Sequence, residues 1–300
     1  MCFNMGRWYL NLTSIGLINP GHKSLTDVNV WKMRDRVWCM GRVHLFEFHE
    51  MAWFPAVWRD LLTDYLSFYA AVFRPYACVA PLLAEALERE ETARIVDLCS
   101  GAGRPLLSLV PALRGLGVRD LEVILTDKYP NLDAFTTAAG DGVNVTYWTT
   151  PIDADDVPVS LGGFRTLFTS FHHFRPAAAR AILTNAVENG EGVGIFEYTE
   201  RNWLVWGLPT ILIPLFIWLC TPFMRPFRWR RLFWTYLVPI VPTVALWDGF
   251  VSNLRTYSVR ELEDLVEQVA DDRYEWRIGK RRSLGLSRVT YAIGTPRRLV

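Results

Sequence analysis

Arg94-Ile95-Val96-Asp97-Leu98-Cys99-Ser100-Gly101-Ala102-Gly103-Arg104 is the stretch on which the fold turns. The apolar run 95–98 predicts a buried strand. It stops at a turn of small residues carrying two glycines, and a helical pattern follows in Leu106, Leu107, Leu109, Val110 and Leu113. Strand, glycine turn and helix, in that order, form the nucleotide corner of a doubly wound sheet. Glycine lets the backbone pass close to a ligand where a side chain would collide. Only two of the dinucleotide motif's three glycines are present, so the stretch alone suits several nucleotides, or a tight turn that binds nothing.

A second strand, 121–126, ends in Asp127, 24 residues after Gly103. An acid about 20 residues past the turn is where such folds hold a ribose hydroxyl pair. With both features in place, the chain resembles the class I S-adenosylmethionine-dependent methyltransferases. Asp97, Gly101 and Gly103 match that family's first motif, D/E-x-x-x-G-x-G, and Asp127 matches its ribose acid. Asp153, in Thr150-Pro151-Ile152-Asp153, falls where the family often has an acid facing the adenine. Phe168-Thr169-Ser170-Phe171-His172-His173-Phe174 looks like its fourth motif, which reads "LHH" in many members. The resemblance covers about residues 94–200 well and the remainder loosely.

The resemblance implies an α/β fold, a Rossmann-like doubly wound and mostly parallel sheet, with S-adenosylmethionine as cofactor. Gly101 and Gly103 would shape the cofactor loop with Cys99. Asp97 would hold the methionine end through neighbouring groups, and Asp127, with Lys128 beside it, the ribose. Asp153 would lie near the adenine and Ser170 at the fourth motif. These motifs identify a cofactor better than a reaction.

Three hundred residues suit one large domain, or one domain with an embellishment. A formal charge of +1 gives no global field for nucleic acid. An apolar content of 51%, a mean hydropathy of +0.12 and thirteen tryptophans point instead to a membrane or a greasy substrate. Cys2, Cys39, Cys78, Cys99 and Cys220 are odd in number and form no CxxC, which predicts reduced, cytosolic chemistry without structural zinc. No metal is expected. Arg7 and the run 8–18 imitate a signal peptide, but Asn11, Thr13 and Ser14 interrupt it and no A-x-A site follows. Residues 1–42 therefore read as a poorly ordered extension, with Met40 and Met51 as alternative starts.

Residues 43–92 predict a helical cap. Val57, Trp58, Leu61, Leu62, Tyr65, Leu66 and Tyr69 recur at three- and four-residue spacing until Pro75, and a second helix ends in Glu88-Arg89-Glu90-Glu91. Strands near 94–98, 121–126, 143–148, 164–169 and 192–198 then alternate with helices near 104–115, 130–139 and 176–189. That alternation implies a parallel sheet. A helix at 259–269 precedes strands at 274–278 and 288–293, the antiparallel pair expected at the family's sheet edge. The methyltransferase-like domain is thus 93–201 with 251–300, interrupted by 202–250.

That interruption is the second clue. Residues 202–224 carry no charge, residues 225–231 hold four arginines and no acid, and 232–247 are again uncharged. Pro209, Pro214, Pro222, Pro239 and Pro242 kink both apolar runs. A spanning hairpin would put the arginines on the far side, against the positive-inside tendency. A hairpin dipping into one leaflet is expected, with those arginines and Trp203, Trp206, Trp218, Trp229, Trp234 and Trp247 at headgroup level. The alternative is a soluble lid or a homodimer surface. The expected location is the cytoplasmic side of a membrane, or else the cytoplasm.

Methyl transfer from a sulfonium is an in-line displacement that mainly needs a positioned acceptor and excluded water. An oxygen or nitrogen acceptor also benefits from a base, so His172 and His173, just past a strand's carboxyl end, are the candidate catalytic groups. Glu197 ends the fifth strand at the same edge; a salt bridge to Arg201 is its alternative. His49 and Glu50, beside Trp53, either approach from the N-terminal helices or are exposed polar residues. Asp248, Arg255 and Tyr257 line the acceptor pocket, or Asp248 and Arg255 form a structural pair. Acceptor contacts are thus expected from Trp53, Glu197, Asp248 and Tyr257, around a small lipophilic molecule. Asp153, Asp155 and Asp156 lack ligand-like spacing. Two rivals remain: a nicotinamide-dependent reductase on the same fold, and a non-catalytic membrane adaptor. There is no G-x-S-x-G, Walker lysine or H-E-x-x-H.

Overall fold

Among the described residues, seven strands form one mixed sheet: β1 (Arg94–Asp97), β2 (Glu122–Leu125), β3 (Asn144–Tyr147), β4 (Phe164–Phe168), β5 (Val193–Glu197), β6 (Tyr274–Arg282) and β7 (Arg288–Pro296). This is a computed structural model, and it describes residues 41–140, 144–269 and 271–297. The expectations for residues 1–40, including the signal-like run, Met40, Cys2 and Cys39, lie outside the described residues. Everything below belongs to the unit Met40–Val300.

The strand order is β3-β2-β1-β4-β5-β7-β6. β1 to β5 run parallel, and β7 returns antiparallel to β5 with β6 outside it. The chain therefore reverses its direction of travel across the sheet between β1 and β4. That makes their carboxyl ends the switch point, where open α/β sheets bind ligands. The fold is the Rossmann-like α/β sheet that the sequence pattern implied. β6 is longer than the expected 274–278. Its second half, Lys280-Arg281-Arg282, is an exposed edge, so no apolar alternation marks it.

The helices are α1 (Ala56–Phe73), α2 (Ala80–Arg89), α3 (Arg104–Leu107), α4 (Val110–Gly115), α5 (Leu132–Ala139), α6 (Pro176–Glu188), α7 (Trp203–Ile211), α8 (Ile213–Cys220), α9 (Trp229–Leu232), α10 (Ile240–Arg255) and α11 (Val259–Val269). Successive strand residues point to opposite faces, so each face has its own core. Ile95, Leu125, Phe164 and Phe168 bury against Leu83 and Leu87 of α2 and Phe135 of α5. Val96, Leu167 and Ile195 bury against Ile182 and Leu183 of α6 and Leu262 and Leu265 of α11. β4 and β5 are buried at every position, as parallel strands covered on both faces must be.

A third core ties the insertion to the N-terminal helix. Phe54 and the α1 residues Leu61, Leu62 and Tyr65 pack on Ile217, Met224, Val241, Val244 and Ala245. Arg231 is buried and donates to Asp64 of α1 at 2.7 Å, and Arg228 reaches the same carboxylate at 3.2 Å. Residues 202–250 are thus not a free hairpin, because α1 presents an apolar face that needs a partner and the insertion supplies it.

The opposite side stays uncovered. Leu208, Ile211, Leu215, Leu219, Phe223, Trp229 and Leu237 are all exposed, Trp229 to 76%. Trp206 and Trp234 instead pack on Tyr198 and Trp58, and Trp247 donates to the Phe46 carbonyl. The Trp203 side chain lies outside the described residues. Among the described residues no single helix is long and apolar enough to cross a membrane. Three bent pairs meet that test by length and composition, including Val205–Ile211 with Ile213–Phe223 at 48° and Trp229–Leu237 with Ile240–Arg255 at 75°.

Candidate active site

The glycine turn leaves β1 at Asp97 and is laced to both neighbouring strands. Leu98 N–H donates to the Thr166 carbonyl of β4 at 2.8 Å, and Ser100 N–H to the Thr126 carbonyl past β2 at 3.0 Å. Cys99, Gly101 and Gly103 all have positive φ, at 54°, 57° and 70°. At Gly103 a Cβ would sit 2.8 Å from the Leu125 side chain, so this position is closed to larger residues. A Cβ on Gly101 would meet nothing within 4 Å, which leaves room beside the backbone. Gly101 N–H donates to Asp127 Oδ2 at 2.9 Å, and Tyr129 N–H to Asp127 Oδ1 at 2.8 Å. The acid after β2 is thereby folded back onto the turn.

Asp97 is buried, and Thr166 donates to it at 2.7 Å. Burial pushes its carboxyl up to about 7 against that bond, and the nearby Asp127 charge adds to the rise. Burial also raises the Cys99 thiol above its ordinary range. Lys128 and Asp153 pair with each other at 2.7 Å on the exposed side of the turn. Ser170 is buried at the end of β4. It follows Thr169, which holds φ 44°, a left-handed conformation rare for a β-branched residue. Left-handed residues thus follow two adjacent strands at one edge, as strained backbone does at functional sites.

Past β4 and β5 lies a dense polar cluster. His172 is buried, its Nδ1 lies 2.8 Å from Glu197 Oε2, and its backbone N–H donates to Glu197 Oε1 at 3.1 Å. A neutral imidazole facing a carboxylate through Nδ1 carries its proton there and leaves Nε2 as the basic nitrogen. His172 Nε2 has no hydrogen-bond partner and lies 3.9 Å from Glu47 Oε1. The His173 ring lies 4.1 Å from that of His172, tilted by 41°, with Nδ1 2.7 Å from Glu50 Oε1. His49 Nδ1 lies 3.0 Å from Asp248 Oδ2. Arg255, almost wholly buried, donates to Glu50 at 2.6 and 2.8 Å and to the Leu45 carbonyl at 2.7 Å.

The electrostatics follow from this wiring. Burial alone raises a carboxyl and does so at Glu47. At Glu50 burial is outweighed by bonds from His173 and Arg255, and its carboxyl falls well below the ordinary range. Glu197 is likewise lowered, with the adjacent His172 outweighing its burial. Burial lowers His173, with His172 adding to the shift. His49 rises despite its burial because of Asp248 and Glu47.

The structure therefore brings Asp97, Cys99, Gly101, Gly103 and Asp127 together in the turn, and His172, His173, Glu197 and Asp248 together in the cluster. Two expected pairings are replaced. Arg201 pairs with Glu261, which leaves Glu197 to His172. Asp248 and Arg255, two turns apart on α10, grip different parts of the 44–50 strap instead of each other: Asp248 accepts from Phe48 N–H at 2.7 Å. Trp53 is 66% exposed, its ring against Phe48 and Phe54. Tyr257 is buried beneath the Arg42 guanidinium and donates to the Phe174 carbonyl, so its hydroxyl is already committed. Glu47 is the residue that sequence reasoning missed. One glutamate in a short strap carries no periodic signal, and apart from His49 its partners lie more than 100 residues away.

No protein-family model and no curated protein matches this chain. Solved structures do resemble it. The plantazolicin methyltransferase BpumL in complex with SAH aligns at a TM-score of 0.49 and 10% identity, over 80% of this chain and 90% of that one. An O-methyltransferase family protein from Burkholderia thailandensis gives 0.47 and 16%, over 80% of this chain and 59% of that one. LepI C52A in complex with SAH and a substrate analogue gives 0.43 and 16%, over 71% and 46%. At such identities likeness concerns the fold alone.

Proposed function

We propose that this chain is an S-adenosylmethionine-dependent methyltransferase acting on a small lipophilic acceptor at a membrane surface. The observation that carries the cofactor assignment is the Asp127 carboxylate folded onto the Gly101 amide, beside the space left open at Gly101 and at the switch point of the sheet. A carboxylate there suits a ribose hydroxyl pair.

When bound, the cofactor supplies a methyl group on a sulfonium that leaves as a neutral thioether. The chain's own residues then have to place the acceptor in line, exclude water and take one proton. Glu197 holds His172 through Nδ1, so the acceptor's proton passes to Nε2, the orientation that carboxylate–histidine pairs use for base work. The exposed apolar face of α7, α8 and the π-helical turn Phe233–Leu237, with Arg225, Arg228 and Arg230 exposed beside it, supports docking on an anionic lipid surface. Arg231 is buried against Asp64 and takes no part, whereas Arg228 touches the same carboxylate with nearly half its side chain exposed.

Thermal shift with S-adenosylhomocysteine and with NADH tests the cofactor. Stabilisation by the first and not the second is expected, and Asp127→Asn should weaken it; stabilisation by NADH alone overturns the proposal. Turnover tests the base. His172→Gln should lower kcat by about 10²–10⁴-fold while S-adenosylhomocysteine still binds, and an unchanged kcat removes His172 from the chemistry. For the membrane, Arg225→Glu, Arg228→Glu and Arg230→Glu combined should release the protein from anionic liposomes. Unchanged sedimentation discards lipid docking and leaves methyl transfer standing.

A further inference from the structure

Three side chains of the polar cluster, Glu47, His49 and His173, each offer one ligand atom, and those atoms all lie within 4.8 Å of one another. Glu47 is completely buried, and its two oxygens have different surroundings. Oε1 is anchored, accepting from the Ser252 hydroxyl at 3.2 Å and lying 3.3 Å from Arg255. Oε2 is buried without a hydrogen-bond partner. It faces the two imidazoles at 3.5 Å from His49 and 3.7 Å from His173, too far for a good hydrogen bond to either. Burying a carboxylate oxygen with nothing to bind is costly, and the two rings frame the place where a partner fits. Their centroids are 5.2 Å apart and their planes nearly perpendicular, so they approach it from different sides.

The spacing matches a metal ion. Ligand atoms within 4.8 Å of one another need only a small inward movement to meet one ion at zinc bonds of roughly 2.0–2.2 Å to nitrogen and oxygen. Charge points the same way. Glu47, Glu50, Glu197 and Asp248 are four carboxylates, and among the described residues their ion pairs are with Arg255 and the three histidines. Four carboxylates thus face one guanidinium and three imidazoles, an acid-rich surrounding that suits a dication. Glu50 and Asp248 lie against Nδ1 of His173 and of His49 at 2.7 and 3.0 Å, so the ion takes those nitrogens in place of the present ring–carboxylate bonds, while Arg255 and Phe48 N–H keep both carboxylates close by.

We infer that Glu47, His49 and His173 bind one divalent transition-metal ion of the zinc class, with further coordination positions left for water or a ligand oxygen. Two imidazoles and one carboxylate are the ligand set of open zinc sites. They disfavour magnesium and calcium, which take oxygen ligands. Binding here needs nothing in the glycine turn, so it stands or falls apart from the cofactor assignment made there.

The full chain, stripped with a chelator, should take up one Zn²⁺ by calorimetry. Co²⁺ should give visible d–d bands without a thiolate charge-transfer band. Glu47→Gln, His49→Gln and His173→Gln should each weaken Zn²⁺ by more than about tenfold, with circular dichroism confirming the fold. His44→Ala, outside the triad, should bind normally. Three results overturn the site: no stoichiometric uptake by the stripped wild-type chain, unchanged affinity in all three ligand variants, or a thiolate band that moves the ion to Cys78, Cys99 or Cys220. If the ligand variants fail to fold, the wild-type stoichiometry and cobalt spectrum still decide it.

Discussion

The two halves of the carboxyl edge hold their acids in different ways. At the glycine turn Asp127 is satisfied by backbone amides and Asp97 by a threonine hydroxyl, all from the ends of three neighbouring strands. Past β4 and β5, Glu47, Glu50, Glu197 and Asp248 are satisfied mainly by imidazoles and one guanidinium, drawn from the 44–50 strap, the His172-His173 pair and α10. The first arrangement depends on backbone shape. The second depends on charge balance between segments that meet only in the folded chain. Perturbing shape and perturbing charge should therefore hurt the two halves selectively.

The largest expected effect is on the charge side. Arg255→Met removes the buried guanidinium that faces Glu47 and Glu50. Breaking a buried pair from one side typically costs about 3–5 kcal/mol because the other charge is left uncompensated. Urea denaturation should show a loss of that size. Arg255→Lys should recover little of it, since a lysine cannot hold both Glu50 oxygens and the Leu45 carbonyl in one planar fork. A loss below about 1 kcal/mol would mean that the cluster's charge is balanced elsewhere, and the contrast between the halves would collapse.

How far each half was legible follows from the same contrast. The turn is contiguous, so 94–104 and Asp127 declare both the strand–turn–helix corner and the acids that stand at it. His172, His173 and Glu197 were legible because each sits at a strand end that periodicity had already located. Glu47 and the partners of Asp248 and Arg255 were not. Their roles depend on contacts about 200 residues apart in sequence, and no local pattern encodes which of several nearby acids an arginine will meet. The insertion was half legible for a similar reason. Its lack of charge announces burial of some kind, but Leu61, Leu62 and Tyr65 of α1 read the same whether they face the sheet or the insertion.

The next effect belongs to the shape side and splits two glycines that look alike in sequence. Gly103→Val meets both a positive φ and the Leu125 side chain at 2.8 Å, so it should cost about 2–4 kcal/mol of stability. Gly101→Ala meets only the positive φ of 57°, with open space around the new methyl, and should cost about 1–2 kcal/mol. Nucleotide binding should rank the other way for the loss per unit of stability: the Gly101 methyl projects into space that a ligand would use. Equal stability losses in the two variants would mean that the turn relaxes around Gly103, and its shape is less fixed than the bonds to Thr126 and Thr166 indicate.

The smallest effect is a pH dependence that separates the acids of the turn from those of the cluster. Burial holds the Asp97 carboxyl at about 7 in the folded chain, against about 3.9 when unfolded. Between those values the folded state keeps a proton that the unfolded state has released. Stability therefore falls as pH rises from about 4 to 7, and the loss is complete above about 7. Asp97→Asn keeps the Thr166 bond through its carbonyl oxygen and has no proton to lose. It should match the wild type near pH 4 and exceed it by about 1–3 kcal/mol near pH 8, an order of magnitude set by the size of the shift. The comparison must be between variant and wild type, not the slope of the wild type alone. Glu90, at the opposite end of the sheet, is also raised by burial, to about 8, and adds its own decline over a similar range. If the two melting profiles run parallel from pH 4 to 8, Asp97 is ionised throughout, and the turn would then hold its acids by charge, as the cluster does.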